Sequence, residues 1–379
     1  MGDNAPRSAG PGVGGSGVTT SHARPAGASV PSADTPVTTN SADAPVTTIV
    51  APEPSGNPVP SGLGGGGALP RHRAFGAERA FRILTLAAGA TVLAIIVAIA
   101  IFLVARAVPA LRANTVNFFT FQGWFPNDPE PKFGIGALAF GTVLSAVLAL
   151  LMAVPVALGI ALYLSHYAPR RIGTSLGFLM DLLAAVPSVV FGLWGREVLY
   201  QPVRDLSAWL NKYFNWLPIF GGDGPFGRSV LLGSLVLAIM VLPIITSLSR
   251  EVFLQTPTAN QEAALALGAT RWEMIRTAVL PYGRPGVVAA VMLGLGRALG
   301  ETIALALTLN MTFGISVNLI ENGGNSIAAN IANAFGEAND VGRGALIASG
   351  LVLFAITLIV NITARAILYR RREFTEAAA

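Results

Sequence analysis

From residue 81 onward the chain alternates long apolar runs with short polar ones. The apolar runs lie near 81–108, 136–163, 173–199, 229–248, 285–309 and 345–367. Each reaches the ~20 residues that a helix needs to cross a ~30 Å hydrocarbon core, so the pattern predicts six transmembrane helices. Three of the polar connections are aromatic and turn-rich, among them "NFFTFQGWFPNDPEPKFG" and "LSAWLNKYFNWLPIFGGDGPFG". In the second of these, Leu206, Trp209, Leu210, Tyr213, Phe214 and Leu217 recur at helical spacing. One apolar face with aromatic residues results, suited either to lying in the membrane interface or to receiving an external partner.

The connection before the fifth run differs. It reads "QEAALALGATRWEMIRTAVLPYGRP" over 261–285, polar and helix-prone. Thr256-Pro257 predicts an N-cap followed by proline in the first turn, and good helix formers carry the helix to Gly268. Gly268 suits the left-handed residue that closes a helix. Thr270 and Glu273 then predict a capping box opening a second short helix that Pro281 ends. The expectation is a helix–turn–helix knob with Glu262, Trp272 and Met274 exposed, too elaborate for a simple connector.

Composition agrees with a polytopic membrane protein: 53% of the 379 residues are hydrophobic and 12% charged, against about 25% charged in soluble domains. There is no cysteine, and His22, His72 and His166 are scattered, so neither disulfides nor a zinc cluster is expected. The net charge of +5 resides beside apolar runs instead of on one basic face, which argues against nucleic-acid binding and for a topology signal. Arg79, Arg82, Arg170, Arg171, Arg250, Arg284, Arg365 and the run Arg370 to Arg372 flank one side, and the other side is poorer in Lys and Arg. By the positive-inside rule both termini are expected in the cytoplasm. Residues 1–70 form a Pro/Gly/Ala/Ser/Thr tract without an apolar segment in its first thirty positions. They read as a disordered cytoplasmic tail and not as a signal peptide. Residues 71–372 then form the membrane domain, and 373–379 a short cytoplasmic C-terminal tail.

Ionisable residues within the runs are the candidates for chemistry, because charge in hydrocarbon is costly and faces a cavity or a partner. Arg297 and Glu301 stand four apart in the fifth run. Either they neutralise each other, or Arg297 offers its forked donors to an oxyanion while Glu301 orients it or accepts from a phosphate hydroxyl. Thr302 beside them and Ser188 in the third run join the candidate substrate path. Pro187 would free the carbonyl of Leu183, which Ser188 could help satisfy, giving either a packing kink or a hinge. Asp181 is placed just inside the membrane, either to meet a basic residue or to reach the interface.

Glu262-Ala263-Ala264, Gly268 and Leu280-Pro281 resemble the EAA motif of permease subunits in bacterial ABC importers. One position departs, with Ala278 where the motif has isoleucine. "FGIGALAFGTVLSAVLALLMAVPVALGIALYL", "LLAAVPSVVFGLWG" and "GRALGETIALALTLN" further resemble the C-type permease subunits of phosphate-specific ABC transporters, the PstC family. The resemblance covers most of 79–372 and leaves out the N-terminal tail. It implies an all-α type I importer permease of six transmembrane helices in the bacterial inner membrane, moving inorganic phosphate inward by alternating access. It also implies an A-type permease as heterodimer partner, two cytoplasmic ATPase subunits seated on the loop at 256–284, an external phosphate-binding protein, and membrane lipid around the helices.

Such a subunit is not itself an enzyme. ATP and Mg²⁺ belong to the partner ATPase, consistent with the absence of a P-loop: the lysines, Lys132 and Lys212, are followed by Phe133 and Tyr213. A permease for molybdate or sulfate would share the loop, and a membrane scaffold or sensor without transport could use the same knob for docking.

Overall fold

The computed structural model describes the backbone of residues 74–376 and the side chains of residues 78–366. The expected tail at 1–70 lies outside the described residues. The first helix, α1 (Ala74–Ala113), leads to a two-residue hairpin, β1 (Trp124–Phe125) with β2 (Lys132–Phe133). Next come α2 (Gly136–Leu162), α3 (Arg170–Ala184), α4 (Ser188–Trp194), α5 (Tyr200–Phe214) and α6 (Val230–Leu254). The loop helices α7 (Thr258–Ala266) and α8 (Arg271–Met274) precede α9 (Leu280–Leu299), α10 (Ile303–Thr308), α11 (Ile327–Ala334) and α12 (Asp340–Glu376). The last helix therefore continues past the expected end of the membrane domain at 372.

Among the described residues, five helices are long and apolar enough to span a membrane: Glu78–Ala113, Gly136–Tyr167, Val230–Leu254, Arg271–Leu299 and Asp340–Ala366. A sixth span exists if Arg170–Ala184 and Ser188–Phe214, bent by 90° at their break, count as one.

The core is the seam between α2 and α6, and residue size explains it. Ala146, Ala149, Ala153 and Ala157 fall at spacings of three and four and are fully buried with Leu237, Met240, Val241 and Ile245 of α6. Lipid tails are as apolar as leucine, so helices in a membrane gain most from close backbone approach, which small residues permit. A hydroxyl crosses the seam as well, with Thr246 Oγ1 donating to the carbonyl of Ala157 at 3.4 Å. In contrast, α1 is buried only near its end, at Ala107 and Ala110, where Gly344 of α12 lets the chains meet. Most of its other described apolar side chains are exposed, an arrangement that hydrocarbon satisfies and water does not.

Two runs read as continuous spans are broken. In the third run, the Val186 amide donates to Leu183 O at 3.2 Å, closing α3 with a tight turn before Pro187 begins the entry to α4. The carbonyl expected to need Ser188 is thus satisfied by the backbone, and the proline ends one helix instead of kinking a continuous one. The fifth run also starts earlier and stops sooner than its hydropathy suggests: the span is Arg271–Leu299, and Gly300–Thr302 separates it from the six-residue α10.

The second pieces of both broken runs pack on each other through Gly192 of α4, where a Cβ would lie 2.8 Å from Ala304 Cα in α10. Backbone atoms cannot yield as a flexible side chain can. Gly192→Leu should therefore cost about 1–3 kcal/mol by overpacking and lower the melting temperature of the detergent-purified protein; melting identical to the parent would show that this contact is not tight.

The connection after α10 is folded onto the bundle. Leu231 N–H donates to Leu319 O at 2.8 Å, and Ile327 N–H donates to the buried Thr142 Oγ1 at 2.9 Å. Ser326 caps α11 by accepting from the Ala329 amide at 3.1 Å. These bonds turn a segment with turn-rich composition into a fixed cover over the N-terminal ends of α2 and α6.

Candidate functional site

The loop between α6 and α9 follows the sequence closely, with three corrections. Pro257, not Thr256, occupies the N-cap of α7, and the Thr256 hydroxyl is buried without a hydrogen-bond partner while its carbonyl accepts from Gln261 Nε2 at 3.0 Å. Proline fixes φ where the helix begins but cannot cap through a side chain, so the carbonyl before it takes over the local bonding. The second correction concerns Pro281, which ends nothing. A π-helical turn, Ile275–Val279, joins α8 to α9, and the proline falls in the first turn of α9. A wider turn spaces the backbone where the proline ring and its missing donor would disturb regular bonding. Third, Met274 is 6% exposed and packs with Phe253, Ile275 and Val279.

The turn itself is as expected. Gly268 has φ +84°, and the amides of Gly268 and Ala269 donate to Leu265 O at 2.9 Å and Ala264 O at 3.2 Å. This is the paired bonding that closes a helix through a left-handed residue. The capping box is complete: Thr270 Oγ1 accepts from the Glu273 amide at 3.3 Å, and Glu273 Oε2 accepts from the Thr270 amide at 2.7 Å. Ala264 and Leu280 face inward against the cluster around Phe253. Glu262, Ala263, Pro281 and Trp272 remain exposed, with Leu267 90% exposed beside Gly268. A capped loop thus presents a small apolar knob with two exposed carboxylates, Glu262 free of the cap and Glu273 within it.

Within the bundle the candidate path residues separate. Arg297 occupies the last turn of α9, half-buried, and lines a cavity of about 610 Å³ with Ile244 of α6 and Asn361 and Arg365 of α12. Glu301 falls in the break after α9. The residue is 8% exposed, and its carboxylate accepts from the Ala304 amide at 3.2 Å and so secures the first turn of α10. The two do not form an ion pair; among the described residues the pairs are Lys132–Glu130 and Arg196–Glu197. Four-residue spacing brings side chains together only on an uninterrupted helix, and Gly300 interrupts this one. Thr302 Oγ1 donates to Gly300 O at 3.2 Å inside the same break, and Ser188 is half-buried as the first residue of α4. Asp181 finds a hydroxyl instead of a cation, accepting from Ser247 Oγ at 2.5 Å.

The family model described as "Binding-protein-dependent transport system inner membrane component" matches residues 153–373, which include the loop, both breaks and the cavity. The chain belongs to that family. Among curated relatives, the phosphate transport system permease protein PstC 2 of Mycobacterium tuberculosis is 49% identical over 295 residues, covering 76% of this chain and 91% of the relative. The phosphate transport system permease protein PstC of Xylella fastidiosa is 42% identical over 298 residues, covering 78% and 91%. A solved bacterial ABC transporter involved in the import of the acidic polysaccharide alginate matches 61% of this chain and 79% of its own, at 18% identity and a TM-score of 0.43. Members of this family are transport components, and the chain is accordingly a multi-pass membrane permease subunit rather than an enzyme.

Two features of this permease escaped sequence reasoning. Arg228, just before α6, folds inward and donates through Nη2 to Ala306 O of α10 at 3.3 Å. Desolvation disfavours its charged form, and the positive charge of Arg196 adds to the effect. The second is the convergence of α12 on Arg297. Asn361 and Arg365 lie one turn apart on one face, a signal that was present but read only as flanking charge. The aromatic stripe of α5 is partly retained: Leu206, Trp209 and Tyr213 are exposed and Leu210 and Phe214 half-buried, with the Trp209 and Tyr213 rings 5.3 Å apart.

Proposed function

We infer that this permease imports inorganic phosphate across the bacterial inner membrane by alternating access, with ATP hydrolysed by a separate subunit. The observation that carries the reading is the close similarity, over 91% of their length, to relatives named for phosphate transport. Arg297 supports it, since a guanidinium half-buried in an apolar cavity suits an oxyanion that accepts two parallel hydrogen bonds. Both termini face the cytoplasm, and the loop carrying Glu262, Ala263, Ala264, Gly268, Leu280 and Pro281 is the seat of the ATPase. The partners are an A-type permease, two ATPase subunits that hold ATP and Mg²⁺, and an external phosphate-binding protein. Lipid meets α1 and the exposed aromatic residues of α5. The substrate path includes Arg297, with Glu301, Thr302 and Ser188 shaping the two breaks beside it.

Uptake of labelled phosphate into cells lacking other phosphate transporters, complemented with this chain and its partners, tests the reading. ATP-dependent phosphate uptake is expected, and excess sulfate or molybdate should leave it nearly unchanged. Uptake of either of those anions in preference to phosphate would overturn the assignment.

A further inference from the structure

Two guanidinium groups face the cavity between α6, α9 and α12, and no carboxylate lines it among the described residues. Apart from Arg297, Arg365 and Asn361 the lining is Ile244, Ala289, Met292, Leu293, Gly296 and Ala364. Neither arginine has an ion-pair partner among the described residues. Arg297 is half-buried, whereas Asn361 and Arg365 are exposed, and the two like charges lie along one cavity with no carboxylate among its described lining residues to offset them. An anion bridging them removes the repulsion and supplies acceptors to both forks.

The third polar side chain sharpens the chemistry. Asn361 is the lining residue with a side-chain oxygen, and it brings both a donor and an acceptor. A phosphate species carrying a hydroxyl can donate to that oxygen while its other oxygens accept from the arginines. Sulfate at neutral pH has no hydrogen to donate. Glu301 lies outside the lining, with its Oε1 accepting from the Ala304 amide.

We propose that Arg365 and Asn361 of α12, together with Arg297 of α9, form a phosphate-binding subsite in which Asn361 selects the protonated oxyanion. The proposal rests on the reading of the chain as a phosphate permease and adds to it a second arginine and a selectivity residue. Under the topology proposed above, the inner ends are the start of α9 and the end of α12. Arg297 then sits at the deep end of the lining stretch of α9, Asn361 one turn deeper than Arg365, and Arg365 at the inner mouth. The stretch of α9 from Ala289 to Arg297 covers about 12 Å at helical rise. Side chains of both helices therefore border one stretch of the cavity about two turns long.

The occupant could be inorganic phosphate or the phosphate of a lipid headgroup, and the experiment separates them. The permease with its partner permease and ATPase is purified in detergent without the binding protein. Binding of inorganic phosphate is followed by broadening of its phosphorus NMR resonance, with phosphate held by the ATPase common to all variants and subtracted. Arg365→Gln should weaken the remaining binding about tenfold, the loss expected for a charge-assisted hydrogen bond, with the ATPase still co-purifying. Arg365→Lys should recover only part of it.

Asn361→Leu, whose assembly does not depend on the arginine, should let sulfate compete as well as phosphate does. Phosphate binding by Arg365→Gln equal to that of the parent would overturn the subsite. So would unchanged phosphate binding accompanied by loss of a co-purifying anionic phospholipid, measured by mass spectrometry, because the lipid would then be the occupant. Continued exclusion of sulfate by Asn361→Leu would overturn the selective role of that residue. Uptake by the parent in proteoliposomes is scored separately. Absent uptake with Arg365-dependent binding would sink the transport reading alone, whereas normal uptake with a silent Arg365→Gln would sink the subsite alone.

Discussion

Replacement of Gly268 by valine is expected to abolish phosphate uptake while leaving the permease inserted in the membrane. At φ +84° a β-branched side chain meets steric strain on the order of 1 kcal/mol or more. A Cβ at this position would find no atom within 4 Å, so the penalty comes from the backbone alone and not from packing. Relief requires the turn to open, which would break the paired bonds to Leu265 O and Ala264 O and misalign α7 with α8. ATP turnover stimulated by substrate should fall about tenfold or more, since even a small displacement of a coupling surface is costly. Gly268→Asn should retain most activity, because asparagine tolerates the left-handed region. Normal ATPase association and uptake in Gly268→Val would reject the role assigned to this turn.

The second large effect concerns Arg297. Arg297→Gln should reduce phosphate uptake by roughly tenfold to a hundredfold, the loss of a charge-assisted and potentially bidentate contact. Because Glu301 accepts from the Ala304 amide and forms no pair with Arg297, adding Glu301→Gln should not restore uptake. Arg297→Lys should recover little, since an ammonium does not reproduce the planar fork. Recovery in the double variant, with assembly checked by co-purification of the ATPase, would mean that the two residues serve only to neutralise each other. Glu301→Leu should further destabilise the protein by about 1–3 kcal/mol through the unpaired Ala304 amide, whereas Glu301→Gln keeps an acceptor there.

What the sequence disclosed and what it hid divide along physical lines. Gly268 and the Thr270–Glu273 box were legible because their interactions close within a few residues, so chain spacing nearly determines geometry. The small-residue face of α2 was visible as apolar character, but its partner was not, since nothing local says that Ala149 and Ala153 meet Leu237 and Val241. Arg297 and Glu301 were paired by an argument valid for a continuous helix, and a break of three residues removed its premise. Gly300 stood in plain view between them, yet glycine is tolerated within membrane helices and did not by itself announce an end. Arg365 was read as flanking charge because convergence of α12 on α9 is a tertiary fact.

The continuity of Arg271–Leu299 gives the molecule a lever. The exposed Trp272 sits near one end of this rod and Arg297 near the other, with the π-helical turn and Pro281 between them but no interruption of helix. A helix of that length measures about 43 Å at 1.5 Å per residue. Pivoted near Trp272, a tilt of about 10° would sweep the Arg297 end through about 7 Å, more than the rise of one helical turn. Gly300–Thr302 lies immediately beyond that end and α10 is held against α4 through Gly192, so the stroke has a place to stop. A partner bearing on the loop would thus move the arginine that borders the cavity, while α4 and α10 could stay in place.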